Sequence, residues 1–183
     1  MKQRDVIALV KNGKLSNEQE HAAALSADRS LRILARTDAS MKKLRNKLFD
    51  LIVEYEKNHW TDSEKITDKQ IKESDEAEEF AGRERKFIVQ RRKLILSRLD
   101  KLNLTQNDLG KLLDHHKSYV SELLNGLRPF SQKDLILVHL LLNLSLEELI
   151  PILIPIETKK RIQQQVAALE TVKLKKDLQL VAA

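Results

Sequence analysis

The chain has 183 residues, no cysteine, only four glycines and three prolines, and 33% charged side chains. That composition excludes a disulfide framework and thiolate chemistry, and it points to an almost wholly helical protein of one or two domains. The net charge of +6 is unevenly placed: residues 83–128 carry 11 Lys/Arg against 5 Asp/Glu, while residues 1–82 carry 15 against 16 and residues 129–183 carry 7 against 6. A basic excess confined to one segment is the electrostatic footprint of a polyanionic partner. Val6–Val10 is too short an apolar run for a signal peptide. Leu149–Ile156, broken by Pro151, is too short to span a bilayer. The expected setting is therefore the cytoplasm, with no membrane.

Residues 1–60 read as a helical region of three or four helices. Asp5–Lys11 stops at Asn12-Gly13; Ser16–Leu25 opens on a capping box of Ser16 with Gln19; Arg29–Ala35 continues more weakly. Ser40–Asn58 is the strongest, with Met41, Leu44, Leu48, Leu51, Ile52 and Tyr55 on one stripe. Trp60 at its end reads as a hydrophobic anchor. Residues 61–82 hold 8 acidic against 3 basic side chains, an exposed charged helix or a linker suited to a basic partner.

Residues 83–156 read as a second helical unit. A helix is expected from Arg83 to about Leu102, with Ile88, Ile95, Leu99 and Leu102 inward and Arg91, Arg92 and Lys93 outward. Residues 104–128 then form two short helices joined by a tight turn. Thr105 and Asp108 supply a capping box, and Leu109, Leu112 and Leu113 recur at helical spacing. Gly110 lowers helix propensity, which makes sense where another backbone passes close by. Asp114-His115-His116 is the turn, because Asp tolerates positive φ. The second short helix, Lys117 to Leu124, has Val120, Leu123 and Leu124 inward and ends at Asn125-Gly126.

Ser131 and Asp134 cap a further helix, Leu135–Leu142, that is apolar on every side except at His139. A helix hydrophobic all round must be buried all round, so a partner subunit is expected to cover the face left open, with Val138, Leu141, Leu142, Ile152 and Ile154 as the dimer interface. His139 reads as a satisfied interface histidine. Ser145 caps a last short helix, and Pro151 and Pro155 bracket an extended apolar stretch. Residues 157–183 form a basic amphipathic helix, Thr158–Val181, with Ile162, Val166, Leu169, Val172 and Leu178 inward.

Asp114-His115-His116 also spells the signature of manganese-binding phosphoesterases, but their ligands sit at strand ends of an α/β sheet, and no parallel-strand pattern occurs here. Phosphate-binding glycine loops, zinc spacings and serine-hydrolase elbows are absent from the sequence. No enzyme, metal or cofactor is expected, and His116 is better read as a phosphate or base contact.

The order Thr105-Gln106, Gly110, Val120 and Asn125-Gly126 resembles the helix-turn-helix of the lambda-repressor-like (Cro/cI, XRE) family. Within it, VSELLNGLRPFS (Val120–Ser131) is similar to the VSEVLNGKRPLS-like stretch of HigA-type antitoxins. Tyr55–Trp60 (YEKNHW) resembles a YEExHY-like element that those antitoxins carry upstream. The likeness is good over residues 88–150, weaker over 41–60 and absent elsewhere. Asp114 stands where Gly is common in the turn, and Leu127 where Lys usually follows Asn-Gly.

The resemblance implies an all-α fold, a lambda-repressor-like helix-turn-helix domain with an N-terminal helical region and a C-terminal helix. It implies that Lys117 donates to guanine, that Ser118 and Ser121 bond base edges, and that Tyr119 meets a thymine methyl or a phosphate. Gln106 would touch the backbone or a base edge, while Asn125 and Arg128 would hold phosphates. Glu122 would accept from cytosine or face away. The function implied is a sequence-specific repressor binding a palindromic double-stranded operator as a homodimer. As an antitoxin it would also hold a cognate toxin, a small mRNA-cleaving nuclease. The alternatives are a free-standing homodimeric regulator without a toxin, or a helical interaction module that has lost DNA binding.

Overall fold

The computed structural model describes residues 5–168, and every secondary-structure element among them is helical. Two compact units divide the chain at Pro151. In the larger unit, α1 (Val6–Asn12), α2 (Glu18–Leu34) and α3 (Ala39–His59) form the N-terminal region, and α4 (Asp68–Lys101) leads into α5 (Gln106–Leu113), α6 (Lys117–Leu124), α7 (Gln132–Leu142) and α8 (Leu146–Leu149). In the second, α9 (Ile156–Ala168) follows the extended stretch between the prolines. The rest of the helix expected to reach Val181, with Leu169, Val172 and Leu178, lies outside the described residues.

Side-chain oxygens set most helix starts. Asp5, Asn17, Asp38 and Thr67 each accept a backbone N–H of the first turn of α1, α2, α3 and α4. The cap of α2 is thus Asn17 and not Ser16, whose own N–H donates to Glu20 Oε2 at 2.8 Å. Nothing breaks the chain at Ser26, so the two helices expected over residues 16–35 are one. Val6, Leu31, Leu48, Ile52 and Tyr55 bury the inner faces of α1–α3 in one apolar core, and Arg45 pairs with Asp28 at 2.8 Å across α3 and α2. The Tyr55 hydroxyl and Trp60 indole N–H both donate to Glu18 Oε1, at 3.0 and 3.2 Å, so Trp60 anchors the end of α3 to the start of α2. Burial, reinforced by the Glu18 carboxylate, pushes the Tyr55 hydroxyl well above its ordinary pKa.

Residues 68–101 form a single helix, so the helix expected from Arg83 starts fifteen residues earlier and takes in most of the acidic stretch. Two expectations along it are corrected. Leu102 is the exposed C-terminal cap residue rather than part of the inner stripe. Arg91 is only 5% exposed: its guanidinium lies 4.7 Å from the Phe130 ring centre and 5.2 Å from that of Phe87, and donates to the Leu149 carbonyl at 3.1 Å. Burial lowers its pKa to about 10. Arg91 therefore fastens α4 to the end of α8 and to Phe130, just before α7.

The second core holds Ile95 and Leu99 of α4, Leu109 and Leu113 of α5, Val120, Leu123 and Leu124 of α6, and Leu135, Val138 and Leu142 of α7. Leu112, grouped with Leu109 and Leu113 by spacing, is instead exposed. The two cores meet at Leu127, which is fully buried among the N-terminal residues while its carbonyl accepts from Val6 N at 2.9 Å. That contact gives a physical reason for an apolar residue where the resembling family usually has Lys.

Candidate nucleic-acid interface

Three left-handed residues punctuate the helix pair. Asn103, at φ 53°, turns the chain from α4 into α5; Asp114, at 57°, ends α5; and Gly126, at 68°, follows α6. Thr105 Oγ1 accepts from Asp108 N at 3.2 Å, and Asp108 Oδ2 accepts from Thr105 N at 3.0 Å, which completes the capping box. The Thr105 hydroxyl also donates to Asp108 Oδ2 at 2.6 Å, and this bond, with the backbone N–H of Thr105, holds the Asp108 carboxyl below its ordinary range.

Gly110 fixes the angle between α5 and α6. A Cβ there would lie 2.8 Å from the His115 carbonyl oxygen and 3.4 Å from Val120 Cγ2. The His115 N–H returns a 2.8 Å bond to the Gly110 carbonyl. The close backbone approach expected from this glycine is therefore present, and it locks the turn to the helix. His115 Nε2 lies 3.0 Å from Oδ1 of the buried Asp134, and its ring packs on Tyr119 at 4.5 Å. Asp134 in turn caps α7 with Ser131, so one carboxylate ties the turn before α6 to the helix after it.

His116 occupies the N-cap of α6 and is exposed, and its side chain makes no cap bond. The first backbone N–H groups of α6 thus lack a side-chain acceptor, the condition under which a helix N-terminus attracts an anion. Lys117 and Ser118 are exposed beside them, and Gln106, half-buried, opens α5. Tyr119 and Ser121 are half-buried. Asn125 Nδ2 donates to the Ser121 carbonyl at 2.7 Å, so its amide closes the end of α6. Arg128 forms an ion pair with Glu122 and lies 5.2 Å from the centre of the Tyr119 ring; the Glu122 bond raises its pKa further. Glu122 is accordingly neutralised inside the chain.

Of the residues expected at a subunit face, Val138 and Leu142 are buried in the core of their own chain. Leu141 is 42% exposed, Ile152 is 87% exposed, and Ile154 is half-buried. Ile136 and Leu140 also face solvent from α7. His139 Nδ1 bonds to the Leu144 carbonyl within the chain. Sequence reasoning missed the His115–Asp134 and Glu122–Arg128 pairs. The first joins residues nineteen positions apart and leaves no local signal. The second, six apart across a helix end, is legible only once the helix is known to stop at Leu124.

Residues 95–149 match the family model described as helix-turn-helix. No curated protein and no solved structure gives a match to the chain. The matched segment begins within α4 and ends with α8, and it contains the whole α5–α6 pair. Among the described residues the fold is all-α, and the match supports a lambda-repressor-like, XRE-type helix-turn-helix domain over residues 95–149. Over that segment the match is to a helix-turn-helix domain of DNA-binding transcriptional regulators, which is not an enzyme family. Among the described residues, no helix is long and apolar enough to cross a membrane.

Proposed function

We propose that the chain is a sequence-specific repressor that reads its operator with α6, and that it serves as the antitoxin of a toxin–antitoxin pair. The observation that carries the DNA reading is the start of α6. Its first N–H groups lack a side-chain cap, Lys117 and Ser118 project beside them, and Gly110 and the His115–Asp134 contact hold the helix rigidly from behind. A phosphate docks against the N-terminus while Lys117 and Ser118 reach base edges, with His116, Tyr119 and Ser121 flanking them. Gln106 and Asn125 set the register against the backbone. Arg128 reaches phosphate only when it leaves Glu122.

One such helix reads a few base pairs, so two subunits are needed. The exposed Ile136, Leu140 and Leu141 on α7 form the apolar face for a second copy, which presents two α6 helices to palindromic half-sites one helical turn, about 34 Å, apart. The toxin is held by the N-terminal helices, where Phe49 and Val53 expose a second apolar face on α3, or by the acidic start of α4. This assignment follows the likeness of Val120–Ser131 and Tyr55–Trp60 to HigA-type antitoxins.

Fluorescence anisotropy with DNA from upstream of the gene, against scrambled DNA at two salt concentrations, tests the first step. Preference for the native fragment is expected to survive higher salt, and Lys117→Ala with Ser118→Ala to remove it, at about 1–3 kcal/mol per lost base contact. Equal, steeply salt-dependent binding to both fragments would reduce the basic segment to nonspecific electrostatics. Leu141→Glu is expected to yield smaller species in sedimentation. For the antitoxin role, co-expression should neutralise the product of an adjacent small reading frame; an isolated gene counts against it.

A further inference from the structure

Between α2 and α4, away from the DNA-reading helices, lies an open groove of about 530 Å³. Leu25, Ala81, Gly82 and Val89 line its apolar part, and Val89 is 57% exposed. Glu78 stands on the α4 side before Gly82, and Arg85 and Lys86 stand after it, with Arg29 contributed by α2. The four charged side chains form no ion pair with another described residue of the chain.

Gly82 is the anomaly that identifies what fills this groove. It sits in the interior of a 34-residue helix, where glycine costs about 1 kcal/mol relative to alanine. No described residue lies within 4 Å of a Cβ built on it, and its φ is not left-handed. At Gly110 and Gly126, by contrast, atoms of the chain occupy the Cβ space. No contact among the described residues therefore accounts for Gly82, whereas the close approach of a helix from a second chain does.

We infer that the α2–α4 groove receives α4 of a second copy of this chain, crossing antiparallel with the two Gly82 residues near the two-fold axis. A two-fold contact requires a surface complementary to itself, and Glu78 and Lys86, which both line the groove, have that property about Gly82. Antiparallel pairing centred there sets Glu78 against Lys86 of the other copy, four residues to either side; Glu79, outside the groove, pairs with Arg83 of its own chain. The acidic start of α4 meets the basic continuation of its partner twice over. A partner helix of uniform charge would match only one end of the groove.

This contact is distinct from the α7 face. From Gly82 to the end of α4 is nineteen residues, so the two DNA-binding units would stand roughly 55–60 Å apart along the paired helices at 1.5 Å per residue. That exceeds one turn of DNA. On the DNA-binding reading above, α7 sets the spacing of half-sites, and the α4 crossing joins separately bound operators. The self-association itself needs no DNA.

Sedimentation of the full chain without DNA, at low ionic strength and tens of micromolar, tests the crossing. Glu78→Lys and Lys86→Glu are each expected to weaken one association step by about tenfold or more, with thermal melting unchanged. Mixed in equal amounts, the two variants should recover that step, because one carries lysine at both positions and the other glutamate at both. The step lost and regained is the same whichever oligomer the α7 face makes. Gly82→Leu should raise the melting temperature, since the side chain enters open space in a helix, yet abolish the same step. Single variants that sediment like the wild type, a mixture that stays dissociated, a Gly82→Leu chain that still associates, or a wild type without the step would each overturn the crossing.

Discussion

Gly126→Ala measures how firmly α4 holds the DNA-reading helix. Gly126 has φ +68° just past α6, and an added Cβ would meet Ile88 Cδ1 at 2.6 Å, Cγ2 at 2.8 Å and Cγ1 at 3.1 Å. Two costs are therefore expected. Holding alanine in the left-handed region costs about 1–2 kcal/mol. Overlap with Ile88 adds about 1–3 kcal/mol, because either that side chain rotates away or the end of α6 moves. The sum, about 2–5 kcal/mol, is a large share of the stability of a domain this size. Denaturant unfolding of four chains separates the two costs: wild type, Gly126→Ala, Ile88→Ala and the double variant. In the Ile88→Ala background only the backbone cost should remain, giving a coupling of about 1–3 kcal/mol. An equal loss in both backgrounds would show that Ile88 does not press on Gly126. A loss under about 0.5 kcal/mol in the wild-type background would refute both parts of the reasoning.

Arg91→Ala is expected to cost about 2–4 kcal/mol in denaturant unfolding, because the Leu149 carbonyl loses its donor and Phe87 and Phe130 lose the cation between them; Arg91→Lys, with no planar fork, should recover only part of it. His115→Ala removes one partner of the buried Asp134 and should destabilise by about 1–3 kcal/mol, read by thermal melting. Because the capping bonds lower the Asp108 pKa below its ordinary 3.8, their contribution is present above that pH and is lost as the pH falls through the lower folded value. Acid melting curves of Asp108→Asn should lack that component. Glu122→Gln releases Arg128 and removes a negative charge from the DNA side. Binding should tighten several-fold at low salt, and the salt slope should steepen by about one unit.

Sequence alone was enough for what local chemistry controls. Capping boxes at Thr105, Ser131 and Ser145 announce helix starts because the bonds join residues three apart. Apolar spacing places Ile95, Leu109, Val120 and Leu123 in a core because a helix repeats its faces every 3.6 residues. A mid-helix glycine at Gly110 implies a close neighbour. The basic segment and the α5–α6 pattern follow from the same short-range rules, so the helix-turn-helix is legible without coordinates.

Tertiary structure decided whatever depends on residues far apart in the chain. Periodicity puts Arg91 on an outer face, but Phe87, Phe130 and the Leu149 carbonyl surround it and make burial tolerable. Leu127 looks like a departure from the recognition pattern until Val6 and the N-terminal core close over it. Arg128 looks free for phosphate until Glu122 takes it. The acidic and basic stretches look like separate segments, yet they are one rigid helix because nothing between Asp68 and Lys101 breaks the backbone pattern. In each case sequence set the side chain's chemistry, and the packing of distant helices set whether that chemistry faces solvent, core or partner.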